Sequence, residues 1–212
     1  MDIVVENRIR ELEKLIGSTP MLEIMYSYKG ELRRVFVKTE YYNYTGSIKD
    51  RMAIYILNKA YAEGNICPGD QILEATSGNT GISFAALGSA LGHKVTIYMP
   101  DWMSEERKNL IKSFGADVEL VSKEQGGFQG CIKLTEKYAG QNEAVFLPCQ
   151  FSNGYNVAAH YLSTGPEIHK QLERIGLTLD AAVAGVGTGG TIMGLGRYFK
   201  EKNPAFRAYP LE

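Results

Sequence analysis

The chain is 212 residues long, room for one large domain, or one domain and part of a second, at a typical size of about 150 residues. Its 23 basic and 24 acidic residues leave a formal charge of −1, which excludes a protein built to neutralise nucleic-acid phosphates and argues against a polybasic membrane-surface protein. A hydrophobic fraction of 44% against 22% charged residues is enough for a core and excludes disorder.

The three cysteines, Cys67, Cys131 and Cys149, are far apart and form no CxxC. No disulfide framework or structural zinc site is expected, and the expected compartment is reducing, the cytoplasm. His93, His160 and His169 are scattered, so no metal site is expected either. The charged N-terminus is not a signal peptide. The uncharged run Ala75–Gly92 holds Thr76, Ser77, Asn79 and Thr80 and is too polar for a membrane helix.

In chain order, Val35–Val37 reads as a strand. Ser47–Ala62 reads as a helix, with Gly64 as its stop. A strand at Gln71–Glu74 leads to a helix over Thr80–Leu91, stopped by Gly92. Lys94–Met99 is a strand, and Ser104 opens a helix to Phe114 with Glu105 and Glu106 in its first turn. Val118–Val121, Gly127–Tyr138 and Val145–Leu147 continue as strand, helix and strand. Helical stretches over Tyr155–Thr164 and Pro166–Arg174 precede a strand at Ala181–Val186. A helix over Thr191–Lys200 and a strand at Phe206–Leu211 complete the chain. Alternating strands and helices predict an α/β fold, with parallel sheets covered by helices. The last strand ends at Glu212 with nothing to cover it, as if a longer chain had been cut.

Two glycine-rich segments, Glu74–Gly81 and Gly185–Thr191, each follow an apolar strand and open a helix. Unpaired N–H groups and the helix dipole bind anions at such places, so a phosphate and a carboxylate are the expected ligands. Lys49 lies in the first turn of a helix with one apolar face. Desolvation there depresses an amine pKa and makes it a nucleophile and base; the alternative is a solvated lysine paired with Asp50. A Schiff base to pyridoxal phosphate needs one lysine, one phosphate cradle and one carboxylate site for an amino acid. Gln150, after a strand on the same sheet edge, adds an amide donor.

These segments resemble the cysteine synthase family, the fold-type II pyridoxal phosphate enzymes that include cystathionine β-synthase. The resemblance runs in order through Leu15–Pro20, Thr45–Arg51, Thr76–Gly81, Gln150–Asn153, Thr164–Glu167 and Gly187–Thr191. It implies a tryptophan synthase β-like fold of two lobes. Residues 43–153 form the smaller mobile lobe, and residues 1–42 plus 154–212 an incomplete larger, cofactor-binding lobe. It implies that Lys49 holds pyridoxal 5'-phosphate and shuttles the α-proton, and that Asn79 bonds the cofactor's phenolic oxygen. Gly187, Thr188, Gly189, Gly190 and Thr191 cradle the phosphate; Thr76, Ser77, Asn79, Thr80 and Gln150 bind the substrate carboxylate. The implied reaction is β-replacement through an aminoacrylate, O-acetylserine plus sulfide giving cysteine, in a cytoplasmic homodimer with a small amino-acid substrate.

Tyr44 and Gly154 stand where the family has proline, which leaves the nucleophile and leaving group open. Cysteine desulfhydration and lanthionine formation share the intermediate. Family members continue past residue 212, to a serine at the cofactor's pyridine nitrogen. An inactive fragment or pseudoenzyme is therefore an alternative for these 212 residues. Gly185-Val186-Gly187-Thr188-Gly189-Gly190 also fits a dinucleotide fingerprint with Glu212 as a ribose-binding acid, the remote alternative of a nicotinamide oxidoreductase.

Overall fold

The computed structural model describes residues 2–212. Helix α1 (Ile3–Glu13) is capped by Asp2, whose carboxylate accepts the Val4 N–H at 2.8 Å. An antiparallel hairpin of β1 (Met21–Tyr28) and β2 (Glu31–Lys38) follows, with Met21 opposite Lys38. After a 3-10 turn at Glu40–Tyr42 comes α2 (Lys49–Glu63), ended by Gly64 in the left-handed conformation at φ 74°. Then β3 (Gln71–Ala75), α3 (Asn79–Leu91), β4 (Val95–Pro100), α4 (Glu105–Ser113), β5 (Asp117–Val121), α5 (Gly127–Ala139) and β6 (Val145–Phe146) alternate. The last elements are α6 (Gly154–Ala159), a π turn at His160–Thr164, α7 (Gly165–Glu173), β7 (Ala181–Gly185), α8 (Gly190–Lys202) and β8 (Arg207–Leu211).

Strands β5-β4-β3-β6 form a parallel sheet in that order, and β7 and β8 pair in parallel separately. This is the expected α/β class. The main core lies around α2, α3 and β4, and Val5 and Ile9 of α1 belong to it. Helices cover both faces of the sheet, so β3 and β4 are buried along almost their whole length. Helix α3 lies so close to the sheet that a Cβ on Gly88 would stand 2.5 Å from Val95 Cγ2. A second core joins Ile168 and Leu172 of α7, Leu195 and Phe199 of α8, and Phe206.

The sequence reading has no element before Val35, and α1 and β1 are additions. In α1 the buried positions Val5 and Ile9 are one turn apart, but charged residues surround them. In β1 Leu22, Ile24 and Met25 are all exposed, so no alternation of burial marks the strand. Among the described residues no helix is long and apolar enough to cross a membrane, and no group of three or more His, Cys, Asp or Glu is placed to hold a metal.

Candidate active site

Strands β3 and β6 are parallel neighbours, with Gln71 opposite Val145. The loops that follow them therefore leave on the same carboxyl edge of the sheet. There Thr80 Oγ1 donates to Gln150 Oε1 at 2.6 Å, and Gln150 Nε2 donates to the Ala75 carbonyl at 3.4 Å. Thr76, Thr80 and Gln150 are buried, whereas Ser77 and Asn79 are exposed. Asn79 shares an open pocket of ≈ 440 Å³ with Thr45, Ser47 and Arg107.

Lys49 is the first residue of α2 and is half-buried. Among the described residues its amine has no ion pair or hydrogen bond. The expected alternative partner, Asp50, is engaged elsewhere: its carboxylate accepts from Thr45 N–H at 2.6 Å and from Ser83 Oγ at 2.6 Å. Burial lowers the Lys49 pKa below the ordinary lysine value.

The residue after this pair, Arg51, is buried and holds two carboxylates. It donates to Glu40 at 2.6 and 2.8 Å and to Glu167 at 2.9 and 3.0 Å. Lys38 also bonds Glu167, and Arg51 Nη2 donates to Thr19 Oγ1 at 3.3 Å. Burial alone would raise both carboxyl pKa values. The Arg51 bonds outweigh it, leaving Glu40 below the usual range and Glu167 at about 2. Three of the motif segments, those with Thr19, Arg51 and Glu167, thus meet at one ion cluster.

The loop after β7 opens α8. A Cβ on Gly185, Gly187 or Gly189 would meet nothing within 4 Å, and Gly189 has φ 79°. The backbone N–H groups of Gly187, Thr188 and Gly189 donate no hydrogen bond within the described residues. They sit at the positive end of α8, the arrangement that accepts an anion. His160 of the π turn ties this loop to Thr164. Its Nε2 lies 3.2 Å from Thr191 Oγ1 and its Nδ1 2.9 Å from Thr164 Oγ1. Burial, and after it the charges of Lys49 and Arg51, hold the imidazole neutral with a pKa of about 3. The lysine charge is therefore felt at the residue that touches Thr191.

Glu74 is a buried residue of β3, two positions before the Thr76–Gly81 loop. Its Oε2 is buried without a hydrogen-bond partner among the described residues. Burial pushes the carboxyl up to about 8, against the backbone N–H groups of Gln150, Ala75 and Cys149. It lines a pocket of ≈ 70 Å³ with Cys149, Thr135 and Glu136. Cys149 is exposed and has a positive φ of 53°. A raised carboxyl pKa makes folding stability full below the ordinary value of 4.5 and loses it as pH rises through about 8. Glu74→Gln should remove that loss. In urea unfolding the variant should gain on the parent by up to about 1.4 kcal/mol per pH unit over this window. Parallel profiles for the two proteins would contradict the buried neutral acid.

Residues 12–212 match the family described as pyridoxal-phosphate dependent enzymes. The chain belongs to that family. A cysteine synthase of Staphylococcus aureus is 40% identical over 209 residues, 99% of this chain and 66% of that protein. A hydrogen sulfide-producing enzyme of Fusobacterium nucleatum superposes with a TM-score of 0.94 at 56% identity, covering 98% of this chain and 62% of that one. A cysteine synthase of Entamoeba histolytica gives 0.84 at 36% identity, over 95% and 60%. The chain thus spans about two thirds of the length of the relatives it matches, and its fold is the fold-type II arrangement of these enzymes.

The residues present fit the family's cofactor. An unpaired, desolvated amine suits its aldehyde, and an open loop with three free N–H groups suits its phosphate. The sequence reading passed over several residues of this region. Glu74 and Asn156 carry no spacing signal. His160 was set aside as a scattered histidine. Arg51 and Glu167 stand inside the quoted motifs, and two opposite charges in the resemblance segments were the available clue.

Proposed function

We propose that this chain performs pyridoxal phosphate-dependent β-replacement on a serine-type amino acid, converting O-acetylserine and sulfide to cysteine and acetate. The observation that carries the reading is the Lys49 amine, half-buried, unpaired and lowered in pKa, on a turn clamped by its neighbours Asp50 and Arg51. Cysteine synthases at 40 and 41% identity support it.

In this reading Lys49 Nζ would hold the cofactor at its aldehyde and would carry the proton at the substrate Cα. Bound pyridoxal phosphate supplies an electron sink for the pair left on Cα. Gly187, Thr188, Gly189, Gly190 and Thr191 would hold its phosphate, and Asn79 would donate to its phenolic oxygen. Thr76, Ser77, Asn79 and Gln150 bind the α-carboxylate. Thr80 acts by orienting Gln150, since its hydroxyl proton already goes to Oε1. Residues 43–153 form a lobe that closes against residues 1–42 and 154–212, keeping water from the reacting carbon. The working unit is a homodimer in the cytoplasm.

A second reading, release of hydrogen sulfide from cysteine at the same lysine, is favoured by the 56% identity to the hydrogen sulfide-producing enzyme. One experiment addresses both. The chain is mixed with pyridoxal phosphate, reduced with borohydride and digested, and the pyridoxyl group is expected on Lys49. Cysteine made from O-acetylserine and sulfide supports the first reading; sulfide released from cysteine alone supports the second. A pyridoxyl group on another lysine, or on none, overturns both.

A further inference from the structure

Asn156 joins the Gln150 loop to the phosphate loop. It is a buried residue near the start of α6, which Asn153 caps by accepting the Tyr155 N–H at 2.9 Å. Asn156 Nδ2 donates to the Gln150 carbonyl at 2.9 Å and to Thr188 Oγ1 at 2.8 Å. The Gly190 N–H donates to the same Thr188 oxygen at 3.3 Å. A threonine hydroxyl has two lone pairs and one proton. Both lone pairs of Thr188 are engaged, so its proton is left for an acceptor in the open loop. The Asn156 carboxamide also lies against the first residue of α8. A Cβ on Gly190 would stand 2.1 Å from Asn156 Oδ1, so only glycine fits there while Asn156 keeps its place.

From this geometry we infer that Asn156 is a positioning residue, which sets the Thr188 hydroxyl as a hydrogen-bond donor to a phosphate and couples that loop to Gln150. The inference rests on residues 187–191 being the phosphate loop of the proposed function. It also follows that a shift of Gln150 on engaging a carboxylate is passed to Thr188 through one amide. Asparagine does this and aspartate does not. A carboxylate only accepts, so the Thr188 proton would turn to it, and a negative charge would face the phosphate.

The test compares pyridoxal phosphate with pyridoxal, which lacks the phosphate, as ligands read by visible absorbance. The unsubstituted chain is expected to bind the phosphate form more tightly. Asn156→Asp should weaken pyridoxal phosphate by about 10- to 100-fold, the scale of a charge-assisted hydrogen bond, and leave pyridoxal unchanged. Thr188→Val keeps the volume of the side chain and serves if Asn156→Asp does not fold. It should show the same selective loss, and the double variant should lose no more than either single one. Equal weakening of both ligands, or of neither, overturns the positioning role. No preference for the phosphate form in the unsubstituted chain overturns the phosphate loop itself, and this inference with it.

Discussion

Lys49→Ala should abolish the visible absorbance band of the chain with pyridoxal phosphate and lower any turnover by about 1,000-fold or more. The size follows from two losses at one atom, the covalent hold on the cofactor and the base that moves the Cα proton. No neighbour is placed to substitute. Lys38 and Lys108, the lysines with side chains only 12% and 8% exposed, are bonded to Glu167 and Glu105. Both side chains are already engaged by these carboxylates, whereas the Lys49 amine is unpaired and its pKa is lowered by burial. Lys49→Arg should fail in the same way, because a guanidinium stays protonated and does not attack an aldehyde. A band that survives in Lys49→Ala would sink the assignment.

Arg51→Met should destabilise the fold by about 3–5 kcal/mol, the cost of leaving buried carboxylates without their partner. That is a large part of the total stability of a typical domain, about 5–15 kcal/mol. Arg51 is the only cation bonded to Glu40 among the described residues, and it shares Glu167 with Lys38. The signature is in the pH dependence. Glu40 and Glu167 have lowered pKa values, so their contribution is full above the ordinary carboxylate value of 4.5 and is lost as pH falls below it, for Glu167 through about 2. Urea unfolding at neutral pH and in acid should show the two proteins converging in acid, where the carboxyls are protonated. A loss under about 1 kcal/mol at neutral pH, the range of an exposed pair, would show that the cluster is not a structural anchor. If the cluster does anchor α2, Arg51→Met should also weaken cofactor attachment at Lys49, two residues away.

Much of this was legible in the sequence because its signals are local. Gly64 and Gly92 stop α2 and α3 where they stand, since a left-handed residue ends a helix whatever it packs on. Ile72-Leu73 and Val95–Met99 mark β3 and β4 as strands, which are buried along almost their whole length because both faces are covered. The strand–glycine–helix order of residues 181–191 put a glycine loop at the head of α8, and the helix starting at Lys49 put an amine in its first turn. The α/β class follows from these features, and the family from the order of the six motif segments that resemble it.

Contacts between distant residues were decided by the tertiary structure alone. Nothing in the spacing of Thr19, Arg51 and Glu167 shows that they meet, because the ion cluster closes loops of 32 and 116 residues. Whether Lys49 pairs with Asp50 depended on Ser83, a residue of another helix that takes the carboxylate instead. Glu74 looks like any acidic strand residue until burial leaves one of its oxygens without a partner. Asn156 gains meaning only because β6 and β7 deliver Gln150 and Thr188 to its two sides. The physical reason is the same in each case. Backbone preference and hydrophobic period act over a few residues, whereas the charge state of a lysine or a carboxyl is set by whatever the fold packs against it.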